Sequence, residues 1–469
     1  MRFWIDRHGC AKNDVDGEEI AARLDAAGHE FVDGPEGADL LIVNTCGFIE
    51  DAKRESIEAV AALKAAYPGK RLLVAGCLSQ RYAADLAADL PEADGIVGNA
   101  DLGAVLAAAE ATLAGERPVL VPEAAPSFGR VRRLRRFDFP GSAHVTATEG
   151  CSNFCSFCAI PLIRGSLRSR PRDEVLAECL DLLAQGVKEL VLIGQDLGSY
   201  GRDFRSSSGL PAAPGSPEAS RLPELLAALS AVDGDFRVRT LYIHPDNFPE
   251  AMLSVMAADP RLVPYFDLPF QHASARILKS MNRRGDSARY LELLGRIREA
   301  LPDAAIRSTF LVGFPGEGEE DFAELLDFQA KAALDWVGSF AYSREEGTAA
   351  YRMPARVPKK TVAARRRALE EAQGPITRER LGRFVGREMN VLVEEQVARA
   401  SEGDEELSLG RAWNQAPEVD GLTVLRGEHR PGSVLRARVL AVKGVDFDAL
   451  PLEEGLPLGE GLELRGARR

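Results

Sequence analysis

Apolar and polar positions alternate in blocks along the chain. FWID, DLLIVNTC and RLLVAGC are short apolar runs. Each is followed by helical spacing: about Val15 to Ala27, then FIEDAKRESIEAVAALKAA, then about Arg81 to Leu90. Continuous apolar strands separated by amphipathic helices predict an α/β unit with a parallel sheet, placed at 1–118. The same rhythm returns over 139–378, where AHVTATEGC, ELVLIGQD, RVRTLYIH, YFDLPFQH, AIRSTFLVGFPG and WVGSFAYS read as six strands. Six sequential β/α units predict a partial (β/α) barrel whose site lies at the carboxyl ends of its strands. Over 380–451 the pattern changes to short alternating strands (NVLVEE, GLTVLRG, VLRARVLAVKG) parted by Gly, Pro and Asp turns. That predicts a small antiparallel β-barrel. The tail over 452–469 is Gly- and Glu-rich and is expected to fray.

Two stretches interrupt this order. The connector over 119–138 gathers Arg130, Arg132, Arg133, Arg135 and Arg136, and reads as a solvated basic linker rather than as a contact to an acidic partner. Residues Ser206–Ser220, rich in Ser, Pro, Ala and Gly, read as a flexible surface insertion.

Composition narrows the class. The 469 residues include 58 Lys and Arg against 71 Asp and Glu, a formal net charge of -13, which argues against a general binder of phosphate backbones. No run reaches the roughly 18 apolar residues of a membrane span, and the N-terminus carries no signal-peptide pattern, so a cytoplasmic protein without membrane attachment is expected. Seven cysteines, an odd number in a chain this long, are no disulfide scaffold. In a reducing compartment spaced cysteines are more often metal ligands or catalysts.

Three of them, Cys151, Cys155 and Cys158, fall in EGCSNFCSFCAIP, directly after the first strand of the second unit. Three thiolates on one short loop can hold three irons of a [4Fe–4S] cube and leave the fourth iron open to a cofactor. Zinc is the main rival, but a structural zinc takes four ligands, usually as two separated pairs. Cys10, Cys46 and Cys77 are 36 and 31 residues apart, yet each closes an apolar run. In an open parallel sheet the carboxyl ends of the strands gather at one edge, so these three should converge. A glycine stands beside each (Gly9, Gly47, Gly76) and would let the backbone approach an inserted cluster. Three core thiols are the competing reading. Cys179, within EVLAECLDLLAQG, reads as a packing residue. His8, His244 and His272 adjoin strand ends and receive no catalytic role, although His244 and His272 could face the barrel mouth.

A C-x-x-x-C-x-x-C loop in this position resembles the radical S-adenosylmethionine superfamily. The resemblance implies that the open iron chelates S-adenosylmethionine and that one electron breaks its sulfonium bond. It also implies that IGQDLGSYG contacts this cofactor through Gly194, Gln195 and Asp196, the alternative being an ordinary β–α turn. Two cysteine trios in this order resemble the methylthiotransferases over nearly the whole chain. Those enzymes combine an N-terminal cluster domain, a radical core and a C-terminal TRAM barrel. The implied equipment is two [4Fe–4S] clusters, S-adenosylmethionine and a reductant protein supplying electrons, with the N-terminal cluster handling sulfur. HGCAKNDVDGEE departs from the family pattern, which has Leu before the Gly, Pro after the Cys and Ser before the Glu, so packing around Cys10 is expected to differ.

Two branches of the family compete. TCGFIEDAKRESI, CAIPLIRGSLRSRP, DLPFQHAS, AYSREEGTAA and GRAWNQAPEVDG resemble the branch that modifies an aspartate of small-subunit ribosomal protein twelve. Between Leu381 and Leu450 nine Lys and Arg face twelve Asp and Glu, including a Glu402–Glu406 acidic run. A barrel that grips tRNA should be basic, whereas an acidic face suits a basic ribosomal protein. Methylthiolation of a tRNA adenosine beside the anticodon is the second reading, and a metal-bearing binding module without catalysis is the third.

Overall fold

Each apolar run expected in the first unit is a strand of one parallel sheet. The computed structural model describes residues 1–124, 128–129, 131–137, 140–204, 220–397 and 406–452. Arg130, the insertion up to residue 219, residues 402–405 of the acidic run and the tail beyond Leu452 lie outside the described residues. The strands are β1 (Arg2–Arg7), β2 (Glu30–Phe31), β3 (Leu40–Thr45), β4 (Arg71–Gly76), β5 (Gly95–Gly98) and β6 (Val119–Leu120), in the order β2-β1-β3-β4-β5-β6. Helices α1 (Ala11–Ala26), α2 (Glu50–Ala66), α3 (Cys77–Asp89) and α4 (Val105–Leu113) connect them. Leu40, Leu41, Ile42 and Val43 are all fully buried, as expected of a strand covered on both faces.

Two helices begin earlier than their periodicity suggests. α1 starts at Ala11, directly after Cys10, and α3 starts at Cys77 itself. The reason in α1 is that its first turns are polar and yet buried: Lys12, Asn13, Asp16, Glu18 and Glu19 are all under 6 % exposed. Lys12, Asn13 and Asp16 bond the second unit and Glu18 bonds the connector, so no apolar stripe marks them.

The second unit has six parallel strands: β7 (Ser142–Thr146), then, past the short pair β8 (Thr148–Glu149) and β9 (Arg168–Ser169), β10 (Glu189–Ile193), β11 (Arg237–Thr240), β12 (Leu262–Asp267), β13 (Ala305–Val312) and β14 (Trp336–Ala341). Their order is β14-β13-β12-β11-β10-β7, an open sheet with β7 and β14 at its edges. Helices α5 (Ile160–Arg164), α6 (Arg172–Ala184), α7 (Leu222–Ser230), α8 (Ala251–Ala258), α9 (Ala275–Ser280), α10 (Ser287–Ala300) and α11 (Glu319–Ala332) connect the strands, and α12 (Lys359–Gly382) leads out of the unit. Side chains alternate between the two faces of a strand. Leu190, Leu192, Val238 and Phe266 pack under the helices, whereas Val191, Ile193, Leu241 and Tyr265 belong to a cluster shared with Ala11 and Val15 of α1 and with the terminal barrel.

That barrel is closed, in the order β15-β16-β17-β19-β18, formed by β15 (Glu388–Val397), β16 (Leu407–Ala412), β17 (Thr423–Arg426), β18 (Val434–Lys443) and β19 (Asp446–Pro451). Its pairings are antiparallel except β17 with β19, which are parallel because the hairpin partner β18 lies between them in sequence. The barrel is anchored by buried ions: Glu189 at the start of β10 takes Arg411 of β16 at 2.6 Å and Arg239 at 2.8 Å.

The basic connector is not the solvated linker expected from its composition. Arg133 is 3 % exposed and pairs with Glu18 of α1 and Glu178 of α6, and it donates to the carbonyl of His144. Arg132 and Arg135 reach Asp181 and Asp25 nearer the surface. The connector is a strut because α1 presents a buried carboxylate, and α6 a half-buried one, to its buried arginine.

Candidate active site between two cysteine trios

The carboxyl edge of the first sheet brings Cys10, Cys46 and Cys77 together. Asn13, three residues after Cys10, ties their loops: its Nδ2 donates to the carbonyls of His8 (2.8 Å) and Thr45 (3.0 Å), and the Cys77 thiol lies 3.3 Å from its Oδ1. The glycines matter here for the fit of one loop against another. A Cβ on Gly47 would lie 2.8 Å from the Cys77 carbonyl, and one on Gly76, whose φ is +99°, would lie 2.6 Å from the Thr45 oxygen. Only hydrogen side chains allow the three loops to close up this far. Burial and the neighbouring Cys77 push the Cys46 thiol up to about 12, and burial raises Cys77 as well.

Cys151, Cys155 and Cys158 occupy the loop that the antiparallel pair β8–β9 closes at its base. The loop is braced from outside. Ser156 N–H donates to the Met281 carbonyl at 3.0 Å, and Asn282 Nδ2 donates to the carbonyls of Asn153 and Phe154. Burial raises the Cys151 thiol and pushes Cys158 up to about 12. Thiols held this high are protonated at neutral pH, so iron binding at either trio must release protons. Among the described residues no three His, Cys, Asp or Glu side chains stand close enough to chelate a single ion.

The segment that follows Cys158 touches the other trio. Cys77 packs against Ala159 and Ile163, one and five residues after Cys158. Beyond that contact Arg164 Nη2 reaches Asp16 at 2.7 Å, and Lys12 Nζ reaches Glu149 at 2.5 Å. Tyr242, in a left-handed turn after β11 (φ 62°), is half-buried, and desolvation together with the nearby Cys10 and Asp267 raises its hydroxyl above the usual range.

The three residues expected to touch a cofactor behave differently from one another. Asp196 uses both oxygens on protein donors: Asn153 Nδ2 at 2.8 Å, Ser199 Oγ at 2.6 Å, Asn247 Nδ2 at 2.6 Å and the His244 N–H at 3.1 Å. It therefore braces the cysteine loop. Gly194 is required because a Cβ would lie 2.0 Å from Thr148 Oγ1. Gln195 Oε1 and Thr148 Oγ1 are buried without a hydrogen-bond partner. Such orphaned polar atoms beside a cysteine trio fit a site completed by a bound polar molecule.

His244 is one of three histidines that the sequence left without a role. Its Nδ1 accepts the Asp246 N–H at 3.2 Å, so Nε2 carries the proton and lies 3.9 Å from Cys155 Sγ. Burial, with the cations Arg283, Arg284 and Arg202, keeps the ring neutral. Its signal in the sequence was its place at a strand's carboxyl end. His272 is buried in the core cluster's surroundings with Nδ1 accepting the Ala273 and Ser274 N–H groups, and Cys179 is fully buried in the main core.

Matches to known families follow this architecture. Residues 2–98 match the Uncharacterized protein family UPF0004, residues 145–328 the Radical SAM superfamily and residues 385–451 the TRAM domain. The fold is shared with a solved radical S-adenosylmethionine methyltransferase, TsrM from Kitasatospora setae, at TM-score 0.52 and 14% identity over 72% of this chain and 74% of that one. The fold and the family match thus define a radical SAM protein with a terminal TRAM barrel. The ribosomal protein uS12 methylthiotransferase RimO of Treponema denticola is 43% identical over 95% of this chain and 100% of its own length. That of Thermotoga maritima is 39% identical over 93% and 96%. The chain belongs to the RimO family of radical SAM methylthiotransferases.

Proposed function

We propose that this protein methylthiolates the β-carbon of an aspartate on ribosomal protein uS12. Cys151, Cys155 and Cys158 hold a [4Fe–4S] cluster with one open iron for S-adenosylmethionine, and Cys10, Cys46 and Cys77 hold a second. When bound, these groups supply reductive cleavage of the sulfonium at the first and sulfur at the second. The chain's own part is placement. Asp196 and Asn282 fix the loop of the radical trio, Gln195 Oε1 and Thr148 Oγ1 offer unused acceptors to the cofactor, and Asn13 gathers the other trio. The observation that supports this reading is the packing of Cys77 against Ala159 and Ile163, on the segment that follows Cys158, which sets the sulfur-handling trio beside the radical core. Units of 1–118, 139–378 and 380–451, joined by the connector, are the working division. The cytoplasm, with a reductant protein as electron source, is the setting; no helix among the described residues is long and apolar enough to cross a membrane.

The choice of uS12 rests on relatives of that name at about 40% identity over nearly the full chain and on the acidic balance of the terminal barrel. Mass spectrometry of uS12 and of tRNA from a deletion strain tests it. Loss of the modification from uS12 is expected. Loss from tRNA with uS12 unaffected would reverse the assignment.

A further inference from the structure

Arg164 belongs to the radical core by sequence and to the other trio by position. It lies on α5, six residues after Cys158, with its side chain 5 % exposed. Its Nη2 lies 2.7 Å from Asp16 Oδ2, 2.9 Å from Asn13 Oδ1 and 3.4 Å from Cys77 Sγ, while Nη1 lies 3.2 Å from Glu149 Oε2. Asn99 completes the arrangement: its Nδ2 donates to both Asp16 Oδ2 (3.2 Å) and Cys77 Sγ (3.3 Å). Asp16 balances the guanidinium charge, so what reaches the sulfur is chiefly a directed N–H. Hydrogen bonds to ligand sulfurs favour the reduced state of an iron–sulfur cluster and raise its potential. A planar fork that reaches a carboxylate, an amide and a sulfur together also fixes where that sulfur stands.

We propose that Arg164 is a positioning residue for the N-terminal cluster, through which the radical core hydrogen-bonds Cys77 and sets that cluster's orientation and potential. This rests on the reading that Cys10, Cys46 and Cys77 hold a cluster. Through Arg164, the seating of one unit on the other is felt at the sulfur-handling site.

The test uses the full chain, reconstituted anaerobically with iron and sulfide and titrated redox-wise under electron paramagnetic resonance. Arg164→Gln removes the fork. Arg164→Lys keeps a cation beside Asp16 and Glu149, and the Asp16→Asn, Arg164→Gln double variant removes the buried charge together with its partner, so a folding loss in the first variant leaves two others. All are expected to bind about eight irons per chain. The radical cluster's signal and midpoint should hold as an internal reference. The N-terminal cluster's midpoint should fall and its line shape shift in Arg164→Gln and the double variant, with Arg164→Lys between them and wild type. Unchanged midpoints and line shapes in the double variant overturn the proposal, as does an equal shift of both clusters. A wild-type chain that binds only about four irons and gives one signal fails the underlying reading instead.

Discussion

Seven thiols of similar chemistry divide into two kinds by what surrounds them. Cys77 receives N–H donors from Asn99 and Arg164, and Cys151 receives one from Asn153 at 3.3 Å. Cys179 lies in the apolar core of the second unit, where burial pushes its thiol up to about 12. N–H groups aimed at sulfur stabilise thiolate ligands, and an apolar pocket does not. Cys77→Ala is therefore expected to lower iron from about eight to about four per chain while S-adenosylmethionine cleavage to 5′-deoxyadenosine survives. Cys151→Ala should remove a similar amount of iron and abolish that cleavage, and Cys179→Ala should leave iron content at the wild-type value. Iron assay and chromatography of the cleavage product check all three. If Cys77→Ala keeps its full iron, the division is wrong.

Among the elements, α1 and the connector decide how the first unit sits on the second. Arg133 is enclosed by Glu18 and Glu178 with 2 % of its side chain exposed, whereas Arg132 meets Asp181 with 63 % exposed. Breaking a buried pair leaves charge without its counter-ion, while exposed pairs contribute little. Arg133→Met should cost about 3 kcal/mol in denaturant unfolding, and Arg132→Met no more than about 0.5 kcal/mol. Equal effects would return the connector to a solvated linker. Gly47→Ala tests the close approach of the loops. Its methyl group would meet the Cys77 carbonyl at 2.8 Å. We expect about 1–3 kcal/mol of destabilisation, together with weaker iron retention at the first trio, read by thermal melting and iron assay. These elements also show what was legible in the sequence. The core strands announced themselves as apolar-rich runs between helices, β10 being buried along its whole length, and the edge position of Cys10, Cys46 and Cys77 followed from strand polarity alone. β2, β5 and β6, of two to four residues each, are too short to give a pattern. The polar first turns of α1 were missed, and the arginines of the connector looked solvated, because a buried ion pair between distant segments has no local signature. His244 and Asn13 were hidden for the same reason: their partners, Cys155 and the loops of the other cysteines, are brought to them only by the fold.

At the scale of the whole molecule, the terminal barrel is fixed to the core by two kinds of buried acid that respond oppositely to pH. Burial opposes the charge of Glu189, but Arg237, Arg411 and Arg239 overcome it and hold its carboxyl well below the usual range. A depressed acid contributes stability above its unfolded value, lost as pH falls. Asp420 is the reverse. It accepts the Tyr265 hydroxyl at 2.6 Å and the Ala416 N–H at 2.8 Å, with Arg307 at 3.6 Å, yet burial pushes its carboxyl up to about 6. Unfolded, it would titrate near its ordinary value of 3.8. Between those values the unfolded chain loses the proton first, so the folded state is progressively penalised as pH rises, by up to about 3 kcal/mol once both forms are ionised. Asp420→Asn keeps an acceptor for Tyr265 and Ala416 and cannot ionise. The stability of the variant minus that of wild type, taken from urea unfolding at each pH, is therefore expected to climb between about pH 4 and pH 6 and then level off. Because every other group is common to both chains, the difference isolates this one carboxyl from the opposing titration of Glu189. A difference that stays flat, or falls with pH, would mean that Asp420 is ionised in the folded protein. Arg307 would then bind it as a full salt bridge between core and barrel.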